Sequence, residues 1–256
     1  MHINRGDFQI DSNLALPADE VHLWRLDLEA VRSEESRWQK LLSPDEAARA
    51  ARFHFPVDRN RFAASRGILR TLLGSYLEVE PGNLTFSYSK KEKPYLAPPY
   101  SDSGLTFNIS HSGEVALLAF TRKREIGVDI EELHRKIEID PIARRFFSAH
   151  EQQQLAPLRN EAKFEAFFRC WTRKEAYIKA TGEGLSLPLH QFDVSIAAGA
   201  QDALIATRPD AAEAASWSIR EVPAGDGYFA ALCVRGHDWR LKGWKSEALP
   251  NSHSRR

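Results

Sequence analysis

Two segments of this 256-residue chain, HLWRLDLE from His22 and EIGVDIE from Glu125, share one alternation of apolar and polar residues and one D-x-E pair. The pairs are Asp27 with Glu29 and Asp129 with Glu131, and 102 positions (129 − 27) separate the copies. A period of two marks each segment as a β-strand with one buried face. Helical stretches follow the first copy (SPDEAARAARFHF, DRNRFAASRGILRTLLGSYL) and the second (IARRFFSAHEQQQL, KFEAFFRCWTRKEAYIKATG). Strand-like segments then close each half, LTFSYSK and LTFNISHSGEVALLAF first, HQFDVSIA and WSIREVPAGDGYFAALCV second. Gly113, Gly225 and Gly227 suit hairpin turns. The chain is therefore expected to be α+β and built twice: residues 1–122 form one lobe, 123–245 a second lobe with the metal site, and 246–256 a polar, disordered tail. A two-lobed protein tends to place its site in the cleft between lobes.

Composition narrows the function. Thirty-five basic and 35 acidic residues balance, which argues against a general nucleic-acid binder. No run approaches the roughly 18 apolar residues of a membrane span, and the first residues lack a signal core. Cys170 and Cys233 stand in apolar surroundings without metal-ligand spacing, so they read as buried thiols of a cytoplasmic protein. Between Arg49 and Lys93, nine basic residues face four acidic ones, a local excess of +5 (9 − 4). That excess suits either a solvated helix face or a compact polyanion such as a multiply phosphorylated small molecule.

Asp129 and Glu131 point the same way from one strand, roughly 7 Å apart. An edge strand showing its polar face to water would explain them, and so would a site that needs two acids. In the helix that follows, Phe164, Phe168, Trp171, Glu175 and Ile178 form one stripe. Glu175 interrupts its apolar run. Lys179, one turn on, would satisfy it locally; alternatively Glu175 joins Asp129 and Glu131 around a divalent cation such as Mg²⁺, with positions left for substrate. The first copy has no acid after Asp58 in its helix, so Asp27 and Glu29 are expected to be inert. FNISHSG, with Asn108, Ser110, His111 and Ser112 before a glycine, reads as a plain hairpin end or an anion pocket. Taken with KKEKPY and the arginine-rich segment, the anion pocket is the better reading.

FNISHSG, IGVDIE, RRFFSAHE and CWTRKEAYIKATGEGLSLPL, in this order and spacing, resemble the Sfp-type 4'-phosphopantetheinyl transferases over residues 41–194. The G-[VI]-D-[IV]-E and W-[TS]-x-K-E-[AS]-x-x-K blocks are specific together and weak alone. The resemblance implies a monomer of two similar lobes related by a pseudo-twofold, coenzyme A in the cleft between them, and Mg²⁺ on its pyrophosphate. It implies transfer of phosphopantetheine to a serine of an apo acyl, peptidyl or aryl carrier protein, with release of adenosine 3',5'-bisphosphate. By this match Asp129, Glu131 and Glu175 hold the metal, Lys179 contacts phosphate and Glu175 is the candidate general base. Ser110 and His111 match positions around the 3'-phosphate, Lys93 and Pro94 the segment beside the adenine, and Arg61 an arginine for the 3'-phosphate. Arg49 and Arg52 are looser candidates, because the family's early lysine-rich helix is rich in arginine and alanine here. A Mg²⁺-dependent phosphohydrolase and a non-catalytic coenzyme A-binding module are the alternatives. On the helix start of the second lobe, Ile142, Phe146 and Phe147 pack in the core or meet the carrier, which Arg144 and Arg145 would steer.

Overall fold

The computed structural model describes residues 14–133 and 137–245. The expected tail from Ser246 and most of the N-terminal twenty residues lie outside the described residues. The architecture is α+β. In the first half, β1 (Glu20–Asp27) is followed by helices α1 (Glu35–Lys40), α2 (Pro44–Ala51) and α3 (Pro56–Leu77). Strands β2 (Phe86–Tyr88), β3 (Pro94–Leu96), β4 (Leu105–Ser112) and β5 (Val115–Arg122) complete it. In the second half, β6 (Ile126–Glu132) is followed by α4 (Ile139–Phe146), α5 (Ala149–Leu155) and α6 (Asn160–Thr181). Then come β7 (Phe192–Val194), β8 (Leu204–Thr207), β9 (Trp217–Glu221), β10 (Tyr228–Arg235) and β11 (Arg240–Lys245).

The main sheet runs β11-β1-β5-β4 and the second β6-β10-β9, while β2-β3 and β7-β8 are small hairpins. β1 pairs antiparallel with β5, and β6 with β10; β6 carries both of its acids, whereas β1 ends at Asp27 and Glu29 lies in the turn beyond it. The last strand crosses over. Residues 240–245, expected with the second lobe, pair parallel with β1, and Trp244 stacks on Trp24 at 4.6 Å between ring centroids.

Alternation along the central strands shows how the layers stack. Ala116, Leu118 and Phe120 of β5 join the core beneath α3, whereas Val115, Leu117 and Ala119 face the second sheet. On β10, Ala230, Leu232 and Val234 meet that same inter-sheet core, and Ala231 and Cys233 pack towards α6. Strands buried on both faces read as continuous apolar runs, which explains VALLAF and FAALCV. The order is helix, sheet, sheet, helix, with 22-residue α3 and α6 as the outer layers. Both cysteines are fully buried, and burial pushes their thiols up.

One residue lets β6 lie against α6. A Cβ at Gly127 would stand 2.1 Å from Ala176 O and 2.4 Å from Ala180 N, far inside contact distance. Gly127 thus brings the strand bearing Asp129 and Glu131 against the helix bearing Glu175 and Lys179. Gly113, at φ 55, makes the β4–β5 turn expected of it, and Gly182, at φ 75, ends α6.

Candidate active site

β4 and β6 belong to different sheets, and polar side chains of β4 stitch them together. Asn108 Oδ1 accepts from Val128 N at 2.8 Å, Ser110 Oγ donates to Asp129 Oδ1 at 3.0 Å, and Ser112 Oγ donates to Glu131 Oε2 at 3.2 Å. These are positions i, i+2 and i+4, one face of a strand. The exposed-edge explanation of the acid pair fails: Asp129 is 4% exposed.

Asp129 is also the partner of Lys179, whose Nζ donates to its Oδ1 at 2.5 Å and to Ser110 Oγ at 2.9 Å. The other oxygen, Oδ2, is buried without a hydrogen-bond partner. Burial raises the Asp129 pKa, opposed by Lys179 and Ser110. Glu175, one helical turn before Lys179, is pushed up to about 7 by burial and then by the Asp129 charge, with Glu131 adding to it and Lys179 opposing it. The three carboxylates therefore share one electrostatic neighbourhood. Among the described residues, however, no three His, Cys, Asp or Glu side chains stand together as a metal-ligand set. Lys174, next to Glu175 in sequence, points the other way and pairs with buried Glu151 at 2.8 Å. It anchors α6 to the core and leaves the acids to Glu175 and Lys179.

Beside this cluster a cleft of about 310 Å³ opens. Arg49, Phe62, Ser65 and Arg66 wall it from α2 and α3, Lys91, Lys93 and Pro94 from the β2–β3 hairpin, and His111 and Lys179 from β4 and α6. Desolvation, then the Lys179 and Arg61 charges, pushes His111 below the usual histidine range.

Models of two parts of one protein family match the chain: 4'-phosphopantetheinyl transferase, N-terminal, over residues 29–123, and the 4'-phosphopantetheinyl transferase superfamily over residues 125–233. The chain belongs to this superfamily. The transferase is 44% identical to the 4'-phosphopantetheinyl transferase HetI of Nostoc over 232 residues, covering 91% of this chain and 94% of that protein. It is 30% identical to the 4'-phosphopantetheinyl transferase Sfp of Bacillus subtilis over 215 residues, covering 84% and 91%. It is 29% identical to the human L-aminoadipate-semialdehyde dehydrogenase-phosphopantetheinyl transferase over 210 residues, covering 77% and 68%. The activity is transfer of phosphopantetheine to carrier proteins, and the hydrolase and binding-module readings gain no support.

Within the transferase the sequence-derived residues fall into three groups. Asp129, Glu131, Glu175, Lys179 and Ser110 gather where β4, β6 and α6 meet, and Arg49, Pro94 and His111 line the cleft. Lys93 also lines the cleft, but its ammonium donates to Ile126 O at 3.1 Å and to Lys179 O and Ala180 O, the carbonyl end of α6. It is a clamp between hairpin and helix, and burial lowers its pKa to about 8. Two arginines stand apart. Arg61 is held by Glu114 and Asp58 and is not among the cleft-lining residues, and Arg52 is exposed outside the cleft. Sequence reasoning missed Ser65, Arg66 and Lys174 as individuals. Arg66 entered only as one charge in the basic excess, and a buried guanidinium within a helical repeat carries no mark in the sequence.

Proposed function

We propose that the cleft binds coenzyme A and that Asp129, Glu131 and Glu175 hold a divalent cation, Mg²⁺ by donor chemistry. The observation that carries this is at Asp129 and Glu175: one oxygen of Asp129 is buried without a hydrogen-bond partner, and burial and the Asp129 charge drive Glu175 up to about 7. Hard oxygen donors of this kind suit Mg²⁺. Glu131 and Glu175 are only partly buried, so both carboxylates are within reach of solvent and of an entering cation. A cation there would neutralise negative charge on the pyrophosphate oxygens.

The chain's own groups do the rest. Lys179 faces the diphosphate and would offset the charge that builds on the leaving phosphate. Glu175 accepts the proton of the carrier serine as the serine oxygen attacks the β-phosphorus. The phosphorus–oxygen bond to adenosine 3',5'-bisphosphate breaks, and the nucleotide leaves with the electron pair. Ser110 positions Asp129 and Lys179 against each other. The two halves, with equivalent order β1-β5-β4 and β6-β10-β9, are read as pseudo-twofold copies spanning residues 1–122 and 123–245 apart from β11, in a cytoplasmic monomer.

Incubation with coenzyme A, Mg²⁺ and an apo carrier protein, followed by mass measurement of the carrier, tests this reading. A gain of one phosphopantetheinyl group is expected. Free phosphopantetheine with an unchanged carrier would instead establish hydrolysis.

A further inference from the structure

Among the described residues five large apolar side chains are exposed, and three of them lie within five positions of one another. Phe53, Phe55 and Val57 are 38%, 59% and 41% exposed at the corner between α2 and α3. Every residue from 51 to 57 is exposed, so no described element covers this corner. The corner nonetheless has a fixed shape. Phe53 N donates to Ala50 O at 3.2 Å, Asp58 N and Arg59 N both donate to Phe55 O at 3.2 Å, and Pro56 opens the first turn of α3. The Phe53 ring lies 5.5 Å from Phe62, on the side of the cleft that both residues line, whereas the Phe55 ring has the exposed His54 beside it at 4.8 Å. The free charges here are of one sign. Arg52 and Arg59 are exposed and have no acidic partner among the described residues, while Asp58, the one acid of this segment, pairs with Arg61 at 3.5 Å.

Exposed apolar side chains clustered in this way mark contacts with another macromolecule, because water leaves them when a partner covers them. Neither Phe55 nor Val57 lines the cleft, so a ligand held within the cleft leaves both in water. The corner also stands at the reacting end. Just over one turn into α3, Arg61 Nε donates to Glu114 on the β4–β5 turn at 3.2 Å, and Ser112, two residues before Glu114, donates to Glu131. Transfer brings one macromolecule to these acids, the carrier whose serine is modified. Carrier proteins are acidic, which fits the two unpaired guanidinium groups. We propose that Phe55 and Val57, with Arg52 and Arg59 beside them, form a docking surface for the acidic carrier protein on the first half of the chain. This rests on the placement of transfer at Asp129 and Glu175 proposed above. Arg144 and Arg145 on α4 belong to the second half of the chain, so the two surfaces are tested separately.

Initial rates of carrier loading by the whole protein test the surface, with the apo carrier varied at saturating coenzyme A and then the coenzyme varied at saturating carrier. Phe55→Ser should raise KM for the carrier roughly tenfold and leave kcat and KM for coenzyme A near wild type. Arg59→Glu should raise the carrier KM at low salt, and the effect should fade as salt is added. Val57→Ser carries the readout if Phe55→Ser fails to fold. A carrier KM unchanged in the folded variants would overturn the proposal. So would a rise in KM for coenzyme A alone, which would give the corner to the coenzyme. Sedimentation of wild type and Phe55→Ser checks the remaining occupant, and a monomer is expected for both. A wild-type dimer that the substitution dissociates would assign the corner to a second copy of this chain and overturn the carrier. A wild type that loads no carrier would overturn the transfer reading and this surface with it.

Discussion

Lys179 Nζ stands 2.5 Å from Oδ1 of Asp129, while Oδ2 of the same carboxylate has no partner. The protein itself uses one oxygen of Asp129 and leaves the other buried without a hydrogen bond.

Asp129→Ala should stay folded and lose transfer by more than the roughly 10–100-fold typical of outer-shell changes at metal sites. Asp27→Asn, at the matching position of the first strand, should keep turnover near wild type. Asp27 Oδ1 accepts from Ala30 N at 3.1 Å, a turn contact that asparagine preserves. Carrier-loading rates at saturating Mg²⁺ check both. A folded but inactive Asp27→Asn enzyme would refute the one-sided site.

Glu175 makes stability pH-dependent. Its folded pKa of about 7 lies above the ordinary glutamate value of 4.5, so between these values the native state holds a proton that the unfolded chain has released. Stability without metal should therefore fall as pH rises through that window. Glu175→Gln should flatten this part of the profile and melt higher than wild type at pH 8, at roughly 2–4 °C per kcal/mol. Added Mg²⁺ should raise the melting temperature of wild type far more than that of the variant. Melting curves at pH 5.5 and 8, with and without Mg²⁺, decide it, and identical slopes in both proteins would count against the assignment.

Gly127→Ala should damage both fold and activity. Its methyl would meet backbone atoms of α6 at 2.1 and 2.4 Å, which neither rotamers nor side chains can relieve. Overpacking typically costs about 1–3 kcal/mol, and here it also moves Asp129 away from Lys179. A drop in melting temperature with loss of carrier loading is expected; unchanged values for both would show that β6 and α6 can separate freely.

Charge reversal at Arg144 and Arg145, both exposed on α4, should raise KM for the carrier and leave KM for coenzyme A unchanged. Carrier proteins are acidic, so the effect should shrink as salt screens the attraction. Steady-state kinetics at low and high ionic strength give the comparison. A constant carrier KM at low salt would move the docking surface elsewhere.

Phe146 and Phe147 show the border between sequence and tertiary information. Their adjacency means that they cannot share one stripe, yet only packing sorts them: Phe147 is 2% exposed, stacked on Phe167 at 5.2 Å, whereas Phe146 is partly buried against the edge of Trp171. Ser148 caps the next helix, its Oγ accepting from Glu151 N at 3.3 Å.

What the sequence by itself determined is local or repeated: the two D-x-E strands, the helices after them, the turn glycines, and the motif that sets Glu175 and Lys179 one turn apart. Periodicity and backbone sterics decide such features within a few residues, so they survive without a partner. What only the tertiary structure decided depends on which charge meets which. By resemblance Lys93 stands beside the adenine and Arg61 meets a phosphate, but only the fold shows that Lys93 also takes the carbonyls of α6 and Arg61 the carboxylate of Glu114. Arg66, unremarkable in a row of arginines, is set apart because two guanidinium groups are buried on the single carboxylate of Glu46. The free energy of a charge depends on its desolvation and on partners brought from distant parts of the chain, and no local pattern records that sum.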